Sequence, residues 1–280
     1  MISSTSSPQT HMQRAVKIVR PANAIKIAAT SWFAVLFCGQ LFFALYISIL
    51  FGANLLLATP ENVNESGLMV GYVAGDMFGN AMLFFHVLTG AMLSIGGALQ
   101  FWPVLRRHFV NFHRWNGRVF LTIGVAGALS GLYMTWFREA RLGDVSAMGV
   151  TLNGLLIPVM AILAFMAIRR NALAQHVRFA THCFLLINGV LFFRLYLMMW
   201  YMVNQGPLGN TSTLDGPADL FLSYGCYGIP MLLAELYFLA KRRESAWFAW
   251  VTAMLIGLGT LLTAAGVVGA VTMMWIPRLF

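Results

Sequence analysis

Residues 78–102 read FGNAMLFFHVLTGAMLSIGGALQFW, and the fold follows from how this stretch is read. It contains no Asp, Glu, Lys or Arg. About 20 predominantly apolar residues, rising about 1.5 Å each, cross the roughly 30 Å of hydrocarbon in a bilayer. Lipid offers backbone N–H and C=O groups no partner, so a segment of this kind must satisfy them internally, as a helix. Scanning outward with the same ruler gives seven expected spans: 25–52, 78–102, 115–137, 147–168, 177–202, 218–240 and 247–276. Alternation of the kind that marks a membrane barrel is absent. Trp102, Trp115, Trp136, Trp200, Trp247 and Trp275 fall near the expected ends, as interfacial aromatic belts do.

Composition agrees. Of 280 residues, 59% are hydrophobic and 10% charged, against about 25% charged in soluble domains. A soluble enzyme, a secreted disulfide scaffold and a disordered chain are excluded. The expectation is an all-α polytopic bundle of about seven transmembrane helices. It has a polar, Ser-rich tail over 1–24 and a single membrane domain over 25–280. The apolar run after the tail exceeds the 7–15 residues of a signal-peptide core and lacks a small-residue cleavage pattern, so a retained first helix is expected. Cys38, Cys183 and Cys226 all fall inside spans and read as small buried hydrophobes.

Charge sets the expected orientation. Arg14, Lys17, Arg20, Lys26, Arg106, Arg107, Arg114, Arg118, Arg169, Arg170, Arg178, Lys241, Arg242 and Arg243 gather on one side. The other side holds Arg138, Arg141 and Arg278 with seven acids. The positive-inside rule puts the N-terminus in the cytoplasm and the C-terminus outside. The net charge of +9 is then a topology signal that also attracts anionic lipid, not a nucleic-acid footprint.

Ionisable groups inside spans are costly and are functional candidates by default. His86, His182, Arg194 and Glu235 are buried by position, and His113 and His176 lie at the basic rim. His86, Gly90, Leu93 and Gly97 share one helix face; so do His113, Gly117, Gly124, Ala128 and Gly131. The plain reading is close helix packing by small residues, with a polar side chain as glue. The functional reading is room for a flat macrocycle beside an axial histidine. By depth, His86 pairs with Arg194, and His113 with His176 at the rim; His182 and Glu235 lie about a turn and a half deeper. His113 and His176 are the best bis-histidine candidates for haem b iron, though both are also read as plain interfacial residues. Arg114, Arg118 and Arg178 would hold propionates. Glu235 is expected to pair with Arg118 or Arg178, or to take protons. A zinc site from His113, His176, His182 and Glu235 has no supporting spacing motif. No phosphate loop, nucleophile elbow or C-x-x-C site occurs, and no catalytic residue is assigned.

The stretch 85–134 resembles a bacterial multi-pass membrane family known as domain of unknown function 2306. Its HR-x-x-GR element matches His113, Arg114, Gly117 and Arg118, preceded by Gln100 and Phe101. QHVRFATHCFLLINGVLFFRLYL resembles the family's H-x-R segment and LRLY-like element through His176, Arg178 and Arg194; GIPMLLAELYF resembles its closing segment through Pro230 and Glu235. The likeness covers about 79–240 and implies positions without a reaction. His182 departs from the more basic run expected there. In outline the arrangement is also similar to cytochrome b561-type haem membrane proteins. The leading expectation is a b-type haem protein passing electrons to a quinone, a small oxidant or a protein partner, with His86 and Arg194 as an outer haem or quinone site. The alternatives are a proton-coupled transporter in which Arg194 binds an anion, and a scaffold subunit or homo-oligomer without chemistry.

Overall fold

The computed structural model describes residues 20–66, 71–141 and 143–279, so His11, Arg14, Lys17 and most of the 1–24 tail lie outside the described residues. The described residues are helical throughout their ordered elements, with no strand among them. Six helices are long and apolar enough to cross a membrane: α1 (Pro21–Leu56), α2 (Met77–Phe101), α3 (Val110–Trp136), α4 (Asp144–Arg169), α7 (Pro217–Arg242) and α8 (Ala246–Arg278). A further span is made by α5 (Leu173–Ile187) and α6 (Gly189–Asn204), which meet at an angle of 57°.

Local chemistry sets the ends. Pro21 and Pro217 occupy the first turns of their helices, where a missing N–H costs nothing. Asp76 caps α2 by accepting from the Gly79 N–H at 2.8 Å. Gln205, in the left-handed conformation, stops α6. α1 and α8 each loosen into a π-helical segment, Ser48–Ala53 and Ala270–Trp275. The second of these packs on α1 just before the first begins, through Trp275, whose ring stacks on Tyr46 at 6.1 Å.

Two readings of the spans change. The first helix runs on to Leu56 instead of ending at Gly52. The fifth span is not one rod from 177 to 202: it starts at Leu173, breaks at Asn188 and resumes at Gly189. The physical reason is the Asn-Gly pair itself. Asn188 turns its amide Nδ2 onto the Phe184 carbonyl at 2.8 Å, competing with the helical ladder, and Gly189 favours a bend.

This broken span is the centre of the molecule. His182 through Leu186 are five consecutive buried residues, and Leu191, Phe192 and Leu195 continue the core beyond the break. A helix buried on all sides belongs in the middle of a bundle. α4 and α7 flank α5, and α8 and α7 flank α6; α1, α2 and α3 complete the wall, with α1 packed on α8 and α2 on α3. The glycine stripes serve close approach. A Cβ at Gly97 would meet Phe120 and Phe184 at 2.8 and 2.9 Å, and one at Gly131 would meet the His86 ring at 2.8 Å.

The connections 103–109, 170–172 and 243–245 share the face that carries the basic clusters, called the basic face below. On the opposite face Arg138, 6% exposed, ties the start of α2 to the end of α3. It pairs with Asp76 at 3.2 Å and donates to the Gly79 and Gly71 carbonyls and to Asn80 Oδ1.

Candidate functional site

Two places in the bundle gather polar groups, and they differ in kind. The first is a three-residue cluster on the basic half. Arg178 and His182 stand one turn apart on α5, and Glu235 faces them from α7. Arg178 Nε donates to Glu235 Oε1 at 2.7 Å, and His182 Nε2 bonds to the same oxygen. The expected pairing of Glu235 is therefore made with Arg178, not Arg118. The cluster lines a shallow hollow of about 310 Å³ with Met160, Phe179, Met231 and Leu232. Its charges are compensated within the chain, and Glu235 is about one-third exposed.

The second place is a cavity of about 300 Å³ between α1, α2, α3, α4 and the broken span, in the half away from the basic face. His86 and Arg194 both line it and lie within electrostatic reach of each other. So the structure brings together the pair that matched in depth. His86 Nδ1 is 3.0 Å from the Gly127 carbonyl and 3.1 Å from Ser130 Oγ. A carbonyl can only accept, so Nδ1 carries the proton, and Nε2 is left as an acceptor in the neutral ring. Arg194 spends one N–H on the Val190 carbonyl at 3.1 Å, and its guanidinium lies 5.8 Å from the Phe43 ring centre. No Asp or Glu is among the residues lining this cavity, and a second guanidinium, Arg278 from the end of α8, lines it too.

The floor of the cavity is the α5–α6 break, where Ile187, Asn188, Val190 and Leu191 face it. Asn188 is tied on one side by Gln40 of α1, whose Nε2 donates to Asn188 Oδ1 at 2.8 Å. Asn153 of α4 lies against Gly189 so closely that a Cβ there would overlap its amide. Sequence reasoning passed over Asn153, the break and Arg278. A signal was present but not decisive: Asn116-Gly117, Asn153-Gly154 and Asn188-Gly189 are three turn-favouring Asn-Gly pairs inside expected spans, and only the last breaks its helix.

The remaining candidates divide. His113 and His176 are on neighbouring helices within electrostatic reach. His176 Nδ1 is 2.9 Å from the Ala164 carbonyl, while the Nδ1 of His113 is buried without a partner. Arg114 and Arg118 are exposed, and Arg118 lies 4.9 Å over the Trp115 ring. Among the described residues no group of three or more His, Cys, Asp and Glu side chains is placed to hold a metal ion. His113 and His176 are thus not gathered with His182 and Glu235 into the zinc arrangement, because Glu235 and His182 are drawn into the pair with Arg178.

No curated protein and no solved structure matches this chain. A family model described as "Predicted membrane protein (DUF2306)" matches residues 83–238, which run from the second turn of α2 to the last turns of α7 and take in His86, the broken span and Glu235. That stretch is more than half of the 280 residues, and the chain belongs to this multi-pass membrane family.

Proposed function

We propose that this protein binds a small anion inside the membrane and carries it across, with Arg194 as the binding cation. One observation carries the reading: among the described residues, a guanidinium lines a cavity in the bundle without a carboxylate to compensate it. A charge removed from water is costly unless paired. Where the chain supplies no counter-charge, a ligand can. A cavity of this size lies at the lower end of the range for small-molecule sites. The Arg178–His182–Glu235 cluster, three to four turns away across the break on α5 and α7, is the natural proton carrier for coupled transport. The charge asymmetry supports an N-terminus in the cytoplasm of a bacterial cell.

The test uses the full chain in lipid nanodiscs, titrated by calorimetry with chloride, nitrate, inorganic phosphate and benzoate. Binding of at least one anion, lost in Arg194→Gln while the protein stays folded, supports the reading. No binding by any of the four sinks it.

A specific observation favours a second reading, haem b on His113 and His176. His176 holds its Nδ1 proton on a backbone carbonyl, the arrangement that presents Nε2 to a metal. His113 adds a second imidazole with an unpartnered Nδ1. His113 and His176 would hold the iron, Arg114 and Arg118 would be available for propionates, and Arg178 is already engaged by Glu235. Bound iron would supply one-electron chemistry, with a quinone or a protein as electron partner. A dithionite-reduced minus oxidised spectrum of protein made with haem available decides it. A b-type alpha band lost in His176→Ala establishes the haem, and a flat spectrum retires it.

A further inference from the structure

The broken span gives the anion site a direction and a ligand class. At the break, Asn188 N–H still donates to the Phe184 carbonyl, and Phe192 N–H to the Asn188 carbonyl at 2.8 Å. Between them lie Gly189, Val190 and Leu191, the first turn of α6. First-turn N–H groups have no acceptor within their own helix, and they carry the positive end of its dipole. α6 runs for 16 residues, long enough for that dipole to matter. Two of these three residues, Val190 and Leu191, line the space that Arg194 also lines.

A second, independent feature points to a ligand at the same place. Asn153 lines the cavity, is 7% exposed, and its Nδ2 is buried without any acceptor. An unpaired buried amide donor costs roughly 1–3 kcal/mol, and such groups in folded proteins call for an explanation. Gly189 lets this amide come against the backbone of the break, where any larger residue would push it away. At the break the site sets three kinds of donor together, an amide, first-turn N–H groups and a guanidinium, while the acceptor His86 Nε2 lines the same cavity. Donors gathered in this way are answered by a group that accepts.

Resting on the anion-binding reading, we infer that the ligand is a monocarboxylate with a small apolar body. Its carboxylate lies at the N-terminus of α6, between Asn153 Nδ2 and Arg194. Much of the rest of the wall is apolar, with Ile47, Leu83, Val87, Leu93 and Ile157 among its residues beside the hydroxyls of Thr89, Ser94 and Thr135, and the apolar part takes the hydrocarbon. A space of about 300 Å³ corresponds to about ten waters at roughly 30 Å³ each, which suits an aromatic or short aliphatic acid. Helix N-termini at breaks in membrane helices are suited to carboxylates on general electrostatic grounds.

The experiment compares benzoate, benzamide, chloride and inorganic phosphate on the full chain in nanodiscs, using wild type, Asn153→Leu, Asn153→Asp and Arg194→Gln. Benzoate is expected to bind and benzamide, which brings donors of its own, not to compete. Asn153→Leu should weaken benzoate about tenfold, and Asn153→Asp should abolish it by setting a fixed carboxylate beside Arg194. Infrared spectra of ¹³C-carboxylate benzoate give a readout that does not depend on affinity: the bound carboxylate stretch should shift in Asn153→Leu at saturating ligand. Equal benzoate affinity and an unshifted band in that variant would overturn the placement. Binding of chloride or phosphate without benzoate would overturn the ligand class and leave the anion reading standing. Binding of none of them would overturn both.

Discussion

The two polar regions of this bundle carry the same kinds of side chain in opposite states. On the basic half, Arg178 meets Glu235, and His182 joins the same carboxylate. On the other half, Arg194 and His86 face a cavity, and no acid answers them. Both regions looked alike as residues in a membrane span. What separates them is whether the chain supplies the partner. A compensated cluster can be structure alone; an uncompensated one is unfinished without a ligand. This is a sharper criterion than burial of charge, because membrane bundles use buried polar groups as glue as well as for chemistry.

The comparison breaks most directly at its two arginines. Arg194→Met should lower anion affinity roughly 100-fold, taking about 3 kcal/mol for a lost charge-assisted interaction. It should leave thermal unfolding in detergent unchanged or slightly delayed, since it removes an unpaired cation. Arg178→Met should do the reverse: earlier unfolding, unchanged anion affinity. If both substitutions behave alike in calorimetry and in melting curves, the distinction between the regions falls.

Next in size is Glu235→Gln. It replaces the carboxylate shared by Arg178 and His182 with a neutral amide oxygen, and about 1–2 kcal/mol of stability should be lost, a figure kept low because the carboxylate is one-third exposed. Chemical denaturation of the variant measures it. A gain in stability would mean the cluster is held under strain for function rather than as a brace. Asn188→Ala should cost about 1 kcal/mol by removing the acceptor of Gln40. Hydrogen exchange should show the first turn of α6 opening more readily, with the basic half unaffected.

The smallest effect is outside the membrane. In the loop before α7, the hydroxyls of Thr211 and then Thr213 donate to Asp215 and hold its carboxyl below the ordinary carboxylate range. A depressed value in the folded state means that its contribution is complete above the unfolded value of about 3.9. That contribution is lost as pH falls through the folded value. Infrared titration of the carboxyl, with Thr211→Val raising its midpoint, checks this, and the cavity should not respond.

Much of the architecture was readable beforehand, for a physical reason. A membrane span must be long, apolar and helical, so 78–102 or 247–276 announce themselves. The break at Asn188 escaped because a window of some 20 residues averages away a two-residue interruption between strongly apolar halves. Depth was equally accessible: a rise of about 1.5 Å per residue sets His86 level with Arg194 and His113 level with His176 whatever the packing. Lateral neighbours were not. That Asn153 would reach Gly189, or that Arg278 would return to the cavity, depends on which helices lie side by side, and nothing in a single helix's periodicity says so. Glu235 shows the intermediate case. Its need for a cation was evident, but only the packing of α5 on α7 chose Arg178 over Arg118.

The 57° bend between α5 and α6 has an electrical consequence. A ligand charge seated at the break lies partway through the low-dielectric layer, so it also lies partway down the membrane voltage. Moving one elementary charge through the whole drop is worth about 2.3 kcal/mol per 100 mV. Half of that is about 1.15 kcal/mol, or about a sevenfold change in occupancy per 100 mV at 1.36 kcal/mol per tenfold. On the orientation and anion site proposed above, with entry from the side away from the basic face, an energised membrane, negative on the basic side, would empty the site, and a collapsing potential would fill it.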